Sequence, residues 1–443
     1  MKETQVSNVI VTKAATFEFQ SQNVDGKMIS VLKRVRKIKD PTVIIPQCDN
    51  QGYPVVKIGE EAFQGDDFLF DEETIVVIPE GVTIIGREAF AYCAVDSVII
   101  PNSVTIIEDQ AFRHSSLTHI TIPNSVSTIG NHAFEWCTRL SSVTIQNSAV
   151  TIGEYAFNKC SALTTADIGE SVTSIGIGAF SECKNLKSIV IPSSVDGICA
   201  NTFYDNENLE NVIISNGITI ISNSAFAGCW KLKQITIPNS VELISDQAFK
   251  YSGLTNITIP GSVRFIGEHA FENCNLKTAI LEHGVESIDQ YAFAECHYLQ
   301  KVIIPGSVFV LGKGAFWKNP NLTDVTIQNG VPYIGEDMFR ECPELTEIVL
   351  PDSIRRIKQS AFEACRKLTR ISVPADSNFG GLPMFIENKS FWRCSALRQI
   401  DFRGTRSQWR KQRRRWFDES TQRKIKVKCT KGFWSIFGYL PLP

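Results

Sequence analysis

The chain has 443 residues, of which 43% are hydrophobic and 21% are charged, as is ordinary for a soluble protein. No stretch approaches the roughly 18 consecutive apolar residues of a membrane span, which excludes a spanning helix. The net charge of −2 conceals an asymmetry, because residues 398–431 hold thirteen Lys or Arg against three acidic residues. A basic C-terminal end therefore follows an acidic remainder, which bears on partners and not on the fold.

The first 40 residues are interpreted as an N-terminal capping segment. The longest apolar run between Met1 and Gln20 is Val9–Val11, which is too short for the apolar region of a secretory signal. The sequence as written therefore predicts a cytoplasmic protein. If a signal has been trimmed from this N-terminus, a secreted or cell-surface location is expected instead.

A phenylalanine returns every 22 or 23 residues along most of the chain, and most of these residues follow an alanine. They are Phe90, Phe112, Phe134, Phe157, Phe180, Phe203, Phe226, Phe249, Phe271, Phe293, Phe316, Phe339 and Phe362, with Phe63 and Phe391 at longer steps. A period this short predicts a solenoid in which each repeat is one coil and neighbouring coils share a core. We assign residues 41–402 to about fifteen coils.

Each coil begins with a half-buried strand, as in the segment Leu117 to Ile122, where apolar and polar residues alternate. Proline usually follows and ends the strand, because it has no N–H to donate to a neighbouring coil. A second extended piece, such as 125–129, leads to Gly130 and then to a short helical turn that carries Ala133 and Phe134. The coil is therefore predicted to contain mainly short β-strands with short helical or 3-10 turns.

Ten of the thirteen cysteines lie three residues after a repeat phenylalanine. We interpret this column as a ladder of small buried side chains whose polar atoms meet backbone groups at a turn. No Cys-x-x-Cys pair occurs, which argues against a zinc or thioredoxin-like site. Buried thiols also fit a reducing compartment.

Residues 403–432 form a predicted basic cap, and residues 433–443 form an apolar tail. Three interpretations of the basic tract are open: a solvated cap face, a surface for an anionic partner (nucleic acid, anionic lipid or an acidic protein), and a nuclear address in a eukaryotic source. The candidate anionic-partner patch is Arg410, Lys411, Arg413, Arg414 and Arg415. The tail either folds back on the last coil or docks on a partner or a membrane surface.

The sequence holds no nucleophile elbow, metalloprotease motif, calcium loop or phosphate loop. Its six histidines are scattered, although His132 and His269 occupy one turn position in different coils. We therefore predict no catalytic residue, no metal ligand, no cofactor and no enzymatic activity.

The outward positions of the strands are the better candidates for function, because solenoids offer extended surfaces for binding. The predicted partner-binding residues are His119, Asn211, Gln234, Asn256, Lys301, Asp324, Glu347 and Arg370. A neighbouring column of Thr, Val and Ile residues is either a set of strand formers or a mildly apolar protein-binding strip.

The unit Leu-x-x-Ile-x-Ile-Pro-x-Ser-Val-x-x-Ile-Gly-x-x-Ala-Phe-x-x-Cys resembles the BspA-like leucine-rich repeat family over most of the chain. The segments 238–241 and 270–274 are typical pieces. The lead-in at 52–59 and the close around Trp409 and Trp416 also resemble the caps of that family. The tract 410–415 is more basic than such a cap usually is.

The resemblance implies a leucine-rich repeat rod or horseshoe with a strand-lined concave face. It also implies a surface or secreted role in adhesion, aggregation or host-matrix binding, as is common in bacterial and protist members. Our first hypothesis is a non-enzymatic scaffold that binds a protein partner through that face, as an adhesin would. The alternative is a scaffold whose basic end binds nucleic acid or an anionic membrane. A monomer is expected.

Overall fold

The computed structural model describes residues 8–38, 40–64, 74–146, 150–374, 385–405 and 426–429. The chain divides into two compact units, Met1–Ile218 and Thr219–Pro443. Both units consist of short strands joined by turns, and the described residues contain no helix. Each unit is a run of β-solenoid coils, about fifteen in all, as the phenylalanine period predicts.

The first unit contains eighteen described strands. They are β1 Asn8–Val11, β2 Thr16–Val24, β3 Lys27–Arg36, β4 Thr42–Ile44, β5 Val55–Ile58, β6 Ile75–Val77, β7 Ile84–Ile85, β8 Ser97–Ile99, β9 Ile106–Ile107, β10 His119–Ile122, β11 Thr128–Ile129, β12 Ser142–Ile145, β13 Thr151–Ile152, β14 Thr165–Ile168, β15 Ser174–Ile175, β16 Ser188–Ile191, β17 Gly197–Ile198 and β18 Asn211–Ile214.

The second unit contains sixteen described strands. They are β19 Ile220–Ile221, β20 Leu243–Ile244, β21 Asn256–Ile259, β22 Phe265–Ile266, β23 Thr278–Leu281, β24 Ser287–Ile288, β25 Lys301–Ile304, β26 Val310–Leu311, β27 Asp324–Ile327, β28 Tyr333–Ile334, β29 Glu347–Val349, β30 Arg356–Ile357, β31 Arg370–Pro374, β32 Phe385–Ile386, β33 Gln399–Arg403 and β34 Lys426–Cys429.

The N-terminal segment is an antiparallel meander that leads into parallel stacking. β1 pairs with β2 and β2 pairs with β3 in antiparallel fashion, whereas β3 pairs in parallel with β5. The carboxylate of Asp49 accepts hydrogen bonds from Asn8 Nδ2 at 2.6 Å and from Ser21 Oγ at 2.7 Å. This cluster joins the first strand to the loop between β4 and β5.

Most coils contribute to two ladders of parallel strands. The long-strand ladder has the order β4-β6-β8 and β10-β12-β14-β16-β18 in the first unit, and β21-β23-β25-β27 and β29-β31-β33-β34 in the second. The short-strand ladder includes β5-β7-β9-β11-β13-β15 in the first unit and β19-β20-β22-β24-β26 and β28-β30-β32 in the second. Corresponding residues of successive coils face each other, as in Ile120↔Val143, so one column of the sequence makes one row of side chains.

The segment around each repeat phenylalanine forms a third ladder, which we call the turn ladder. The N–H of Phe112 donates to the carbonyl of Ala133 in the next coil at 2.7 Å. The carbonyl of Ala111 accepts from the N–H of Phe90 in the preceding coil, also at 2.7 Å. Ala111 and Phe112 share one peptide group, so this group lies along the stacking direction. The next peptide groups but one on either side, Asp109–Gln110 and Arg113–His114, behave in the same way, whereas the N–H groups between them bond within their own coil.

Left-handed backbone conformations replace the helical turn that the sequence predicts at this place. The residues two before and two after the phenylalanine have positive φ, such as 52° at Glu88 and 57° at Tyr92. This conformation costs a non-glycine residue about 1–2 kcal/mol. We attribute its recurrence to the intercoil hydrogen bonds that it permits, each of which stabilises the fold by about 0.5–1.5 kcal/mol.

The repeat phenylalanines form a buried spine inside each unit. The rings of Phe90 and Phe112 have centroids 4.9 Å apart and an interplanar angle of 4°, and Phe271 and Phe293 also lie 4.9 Å apart. These spacings match the roughly 4.8 Å between hydrogen-bonded strands, because ring stacking and backbone pairing share one repeat. Each ring is fully buried, so the predicted apolar spine is confirmed.

The cysteine column satisfies a backbone group, as the sequence predicts. Cys160 Sγ donates to the carbonyl of Phe134 in the preceding coil at 3.2 Å, and Cys183 Sγ does the same to Phe157 at 3.1 Å. Asn206 occupies the same column and donates through Nδ2 to Phe180 at 3.0 Å. A small side chain with a donor group therefore supplies the hydrogen bond that a buried carbonyl needs. A buried carbonyl left without a hydrogen bond would cost about 1–3 kcal/mol.

Replacing Phe157 by alanine should lower the free energy of unfolding by about 3–5 kcal/mol, because a buried ring is lost and a cavity remains. Phe157→Leu should cost clearly less, since it keeps most of the apolar volume and loses mainly the stacking with Phe134 and Phe180. Urea unfolding followed by circular dichroism measures both changes. Equal stability of the alanine variant and the wild type would contradict the role of the spine.

The thiol column should make the protein labile to alkali. Burial raises the pKa of Cys183 and of Cys274 from the ordinary value of 9.0 to about 12. The unfolded chain therefore loses these thiol protons first as the pH rises. Stability is full below pH 9 and falls above it, by about 1.4 kcal/mol per pH unit for each such thiol.

The control for this prediction is the double variant Cys183→Ser and Cys274→Ser, because serine already occupies the column at Ser115 and Ser252. We expect its free energy of unfolding to fall less steeply than that of the wild type between pH 9 and pH 11. Urea titrations at each pH measure the two slopes. Identical slopes would mean that the thiols do not cause the lability.

Candidate protein-binding surface

Alternation along the long strands turns every second side chain away from the core. In β10, His119 and Thr121 are exposed whereas Ile120 and Ile122 are buried, and β18 repeats this pattern from Asn211. The pairing of β16 with β18 places Ser188 opposite Asn211 in adjacent coils. The predicted binding residues of each ladder therefore lie in rows on one surface, which we call the long-strand face.

In the first unit, the long-strand face carries polar and apolar rows side by side. His119 Nε2 lies 3.4 Å from Ser97 Oγ, and His119 Nδ1 lies 3.1 Å from Thr118 Oγ1. In the next row, Val190 and Ile213 are opposite each other and are 50% and 60% exposed. We call this pair the apolar strip.

In the second unit, the predicted charges on the long-strand face pair with one another. Lys301 Nζ lies 2.9 Å from Asp324 Oδ2, and the two residues are direct neighbours in the β25–β27 ladder. Arg370 Nη1 lies 3.8 Å from Glu347 Oε2, and its Nη2 lies 2.5 Å from the buried carboxylate of Asp401. The face therefore presents compensated rows of charge and not a field of one sign.

The structure places Asn256 on a strand, as the sequence predicts, but does not do so for Gln234. Asn256 is exposed at the start of β21, with its side chain on Thr255 Oγ1 at 3.3 Å. Gln234 is exposed too, but its segment is not assigned as a strand, contrary to the sequence prediction. Thr255 of the next coil donates to the carbonyl of Lys233, next to Gln234, through its N–H at 3.0 Å and through Oγ1 at 3.2 Å.

The basic tract Arg410, Lys411, Arg413, Arg414 and Arg415 and the apolar tail 433–443 lie outside the described residues. The alternatives that the sequence leaves open for these two segments therefore stay predictions. In the described ranges, no group of three or more His, Cys, Asp or Glu is placed to hold a metal ion. That part of the chain also contains no helix that is long and apolar enough to cross a membrane.

The sequence analysis missed a row of exposed aromatic rings on the turn ladder. In the first unit, His114 stacks between Tyr92 at 4.8 Å and Trp136 at 5.4 Å. Burial, followed by the positive charge of Arg113, lowers the pKa of His114 from its ordinary value, and Glu135 partly opposes this shift. The signal was available, since each of these rings lies two residues after a repeat phenylalanine.

The two histidines that share a turn position lie in equivalent clusters of the two units. His132 Nδ1 is 3.2 Å from Glu135, which also binds Arg113 at 2.8 Å. His269 Nδ1 is 2.8 Å from Glu272, which also binds a lysine, Lys250, at 2.6 Å. The ring of a tyrosine from the next coil stacks on each imidazole. In both clusters, the charged groups pair with one another. We therefore assign the clusters to the stabilisation of coil stacking.

Comparison with known proteins agrees with this architecture. A family model described as "BspA type Leucine rich repeat region (6 copies)" matches residues 56–176, 150–277, 264–398 and 318–430. The chain belongs to the BspA-type leucine-rich repeat family. No curated protein matches the sequence significantly.

Among solved structures, a leucine-rich repeat protein from Bacteroides ovatus is similar to this BspA-type chain with 26% identity and a TM-score of 0.64. The match covers 95% of this chain and 100% of the other. A leucine rich cell surface protein from Faecalibacterium prausnitzii is 24% identical over 91% and 96% of the two chains, with a TM-score of 0.36. The pneumococcal vaccine antigen PcpA is 17% identical over 97% and 95%, with a TM-score of 0.41.

The pairing of Lys301 with Asp324 predicts a specific pattern of stability. Lys301→Asp should lower the free energy of unfolding by about 0.2–1 kcal/mol, because like charges then lie opposite each other in the ladder. The swapped double variant, Lys301→Asp with Asp324→Lys, should regain most of this loss. Urea unfolding of the four proteins of this mutant cycle measures the coupling. A swap that is no more stable than the single variant would show that the pair contributes nothing.

Proposed function

We propose that the chain is a non-enzymatic recognition scaffold that binds a protein partner through the long-strand face, in the manner of an adhesin. The apolar strip is the observation that carries this proposal. Val190 and Ile213 expose half or more of their surface in adjacent coils, although threonine, a polar strand former, occupies the same column at Thr121 and Thr144. Protein interfaces combine such apolar centres with polar surroundings.

The surroundings of the apolar strip support the same function. Ser188 and Asn211 form the polar row beside it, and both are exposed. Because the backbone of each strand is fixed by its neighbours on the ladder, little conformational entropy is lost when a partner binds. A rigid row of small polar groups next to an apolar strip suits a partner that presents an extended, mostly neutral surface.

The double variant Val190→Glu and Ile213→Glu should abolish capture of the protein partner without unfolding the coils, because both side chains already face solvent. Immobilised wild type and variant are exposed to extracts, and proteins retained only by the wild type are identified, purified and retested by calorimetry. Ile177→Glu, on another surface of the first unit, is the matched control. Equal capture by the strip variant and the control variant would place recognition elsewhere.

A second candidate function follows from the charge of the sequence. The net charge between Arg398 and Lys431 favours an anionic partner, either a nucleic acid or an anionic membrane. Replacing Arg410, Lys411, Arg413, Arg414 and Arg415 by serine should abolish binding of an RNA oligonucleotide or of phosphatidylserine vesicles. In the wild type, affinity should fall steeply between 50 and 200 mM salt. Binding that survives the substitutions unchanged excludes this candidate.

A further inference from the structure

A groove of about 510 Å³ runs along the turn ladder of the second unit from Glu295 to Arg393. Its apolar lining comes from Pro320, Pro343 and Ala364 in three successive coils. The groove follows the positions two and four residues after the repeat phenylalanines. It is therefore a surface distinct from the long-strand face, and its volume is in the range of sites for small ligands and short peptide segments.

Most charges of the groove have partners within the groove. Lys318 Nζ lies 3.2 Å from Glu295. Arg340 lies 3.4 Å from the buried carboxylate of Glu363 and 3.6 Å from the partly exposed carboxylate of Glu341. These residues define the walls, and their charges largely cancel.

Arg366 and Arg393, at the far end of the groove, differ from the other cations. Neither forms an ion pair with a carboxylate in the part of the chain that the structure describes. The guanidinium carbon of Arg393 lies 4.3 Å from the ring centroid of Trp392, which holds one face of the group and leaves its N–H donors available. The groove thus has one uncompensated cationic end with two guanidinium groups in successive coils.

The backbone of the turn ladder adds to this positive end. The N–H of Lys318 donates to the carbonyl of Arg340, that of Glu341 to Glu363, and that of Ala364 to Trp392, at 2.8–2.9 Å. Every one of these N–H groups points toward the coil of Arg393. Aligned peptide dipoles leave a partial positive charge at the end toward which the N–H groups point. Stability alone would favour acidic side chains at that end, yet the coils carry two arginines there.

We propose that this groove binds a short peptide segment of a protein partner, with a single carboxylate held between Arg366 and Arg393. Neutral residues beside that carboxylate lie against Pro343 and Ala364. Guanidinium groups bind carboxylates through paired, charge-assisted hydrogen bonds. Nucleic acids and polyphosphates are disfavoured, because the walls hold three carboxylates against two cations and offer no further positive charge to additional phosphates.

Fluorescence polarisation with three sets of labelled hexapeptides tests this proposal on the full chain. The first set is amidated and carries one glutamate among random neutral residues. The second set is also amidated and carries glutamine in place of the glutamate. The third set has only neutral side chains and a free C-terminal carboxylate. We expect the glutamate set, the free-carboxylate set or both to bind at least about tenfold more tightly than the glutamine set. The set that binds identifies the source of the carboxylate.

The double variant Arg366→Ser and Arg393→Ser should weaken this binding by at least about tenfold. The matched control, Lys367→Ser with Arg139→Ser, removes two exposed cations outside the groove and should leave binding unchanged. If the serine variant melts at a lower temperature than the wild type, the double variant Arg366→Lys and Arg393→Lys is tested instead. A loss of affinity is still expected, because lysine cannot form the bidentate contact.

The groove proposal and the proposed function fail separately, because Val190→Glu with Ile213→Glu should leave peptide binding intact. Equal affinity for the glutamate, free-carboxylate and glutamine sets overturns the groove proposal, as does an absence of binding by all three. Equal affinity of the wild type and the arginine variant also overturns it. Tighter, arginine-dependent binding of a twelve-nucleotide RNA would replace the peptide with a polyanion.

Discussion

The registered stacking of one coil on the next is the constraint on which every other feature of this repeat protein depends. Three hydrogen-bonded ladders hold successive backbones about 4.8 Å apart. At this spacing, aromatic rings in one column stack at nearly parallel angles, as Phe134 and Phe157 do at 5.0 Å and 2°. A column of the sequence is therefore a row in space, and each row experiences one environment.

The same constraint explains why the turn ladder is not helical. A helix would direct its N–H and C=O groups to its own next turn and leave none for the adjacent coil. The left-handed residues around each phenylalanine instead direct alternate N–H groups along the stack, as the bond from Tyr251 to Glu272 at 3.0 Å shows. The hydrogen bonds between coils thus offset the conformational cost of positive φ at two positions per coil.

Much of the fold could be predicted from the spacing of single residue types. The phenylalanine period predicted the coils, the alternation in 119–122 predicted the long strands, and the cysteine spacing predicted the buried thiol ladder. The left-handed turns could not be predicted in this way, because Glu88 and Tyr92 are not residues that favour positive φ by themselves. Their conformation is imposed by hydrogen bonds to Asp109 and Arg113, each 21 positions away, which local propensity does not record.

The candidate surfaces were predictable to different degrees for the same reason. The 23-residue separation of Lys301 and Asp324 predicts their pairing only when the register of the coils is known. The separation alone does not show that successive coils stack without an offset. The groove depends on small residues at Pro343 and Ala364 in different coils, so no single coil signals it. Its cationic end also depends on the direction of the backbone dipoles, which only the turn ladder reveals.

Stacking in register also restricts how this architecture can recognise a partner. Opposite charges in neighbouring coils neutralise each other, as Lys301 and Asp324 do, so an ordered row tends toward a compensated surface. Recognition must then use residues that the row leaves uncompensated. Exposed apolar side chains such as Ile213, and cations without an ion-paired carboxylate such as Arg366, are the residues of this kind on which the two proposals rest.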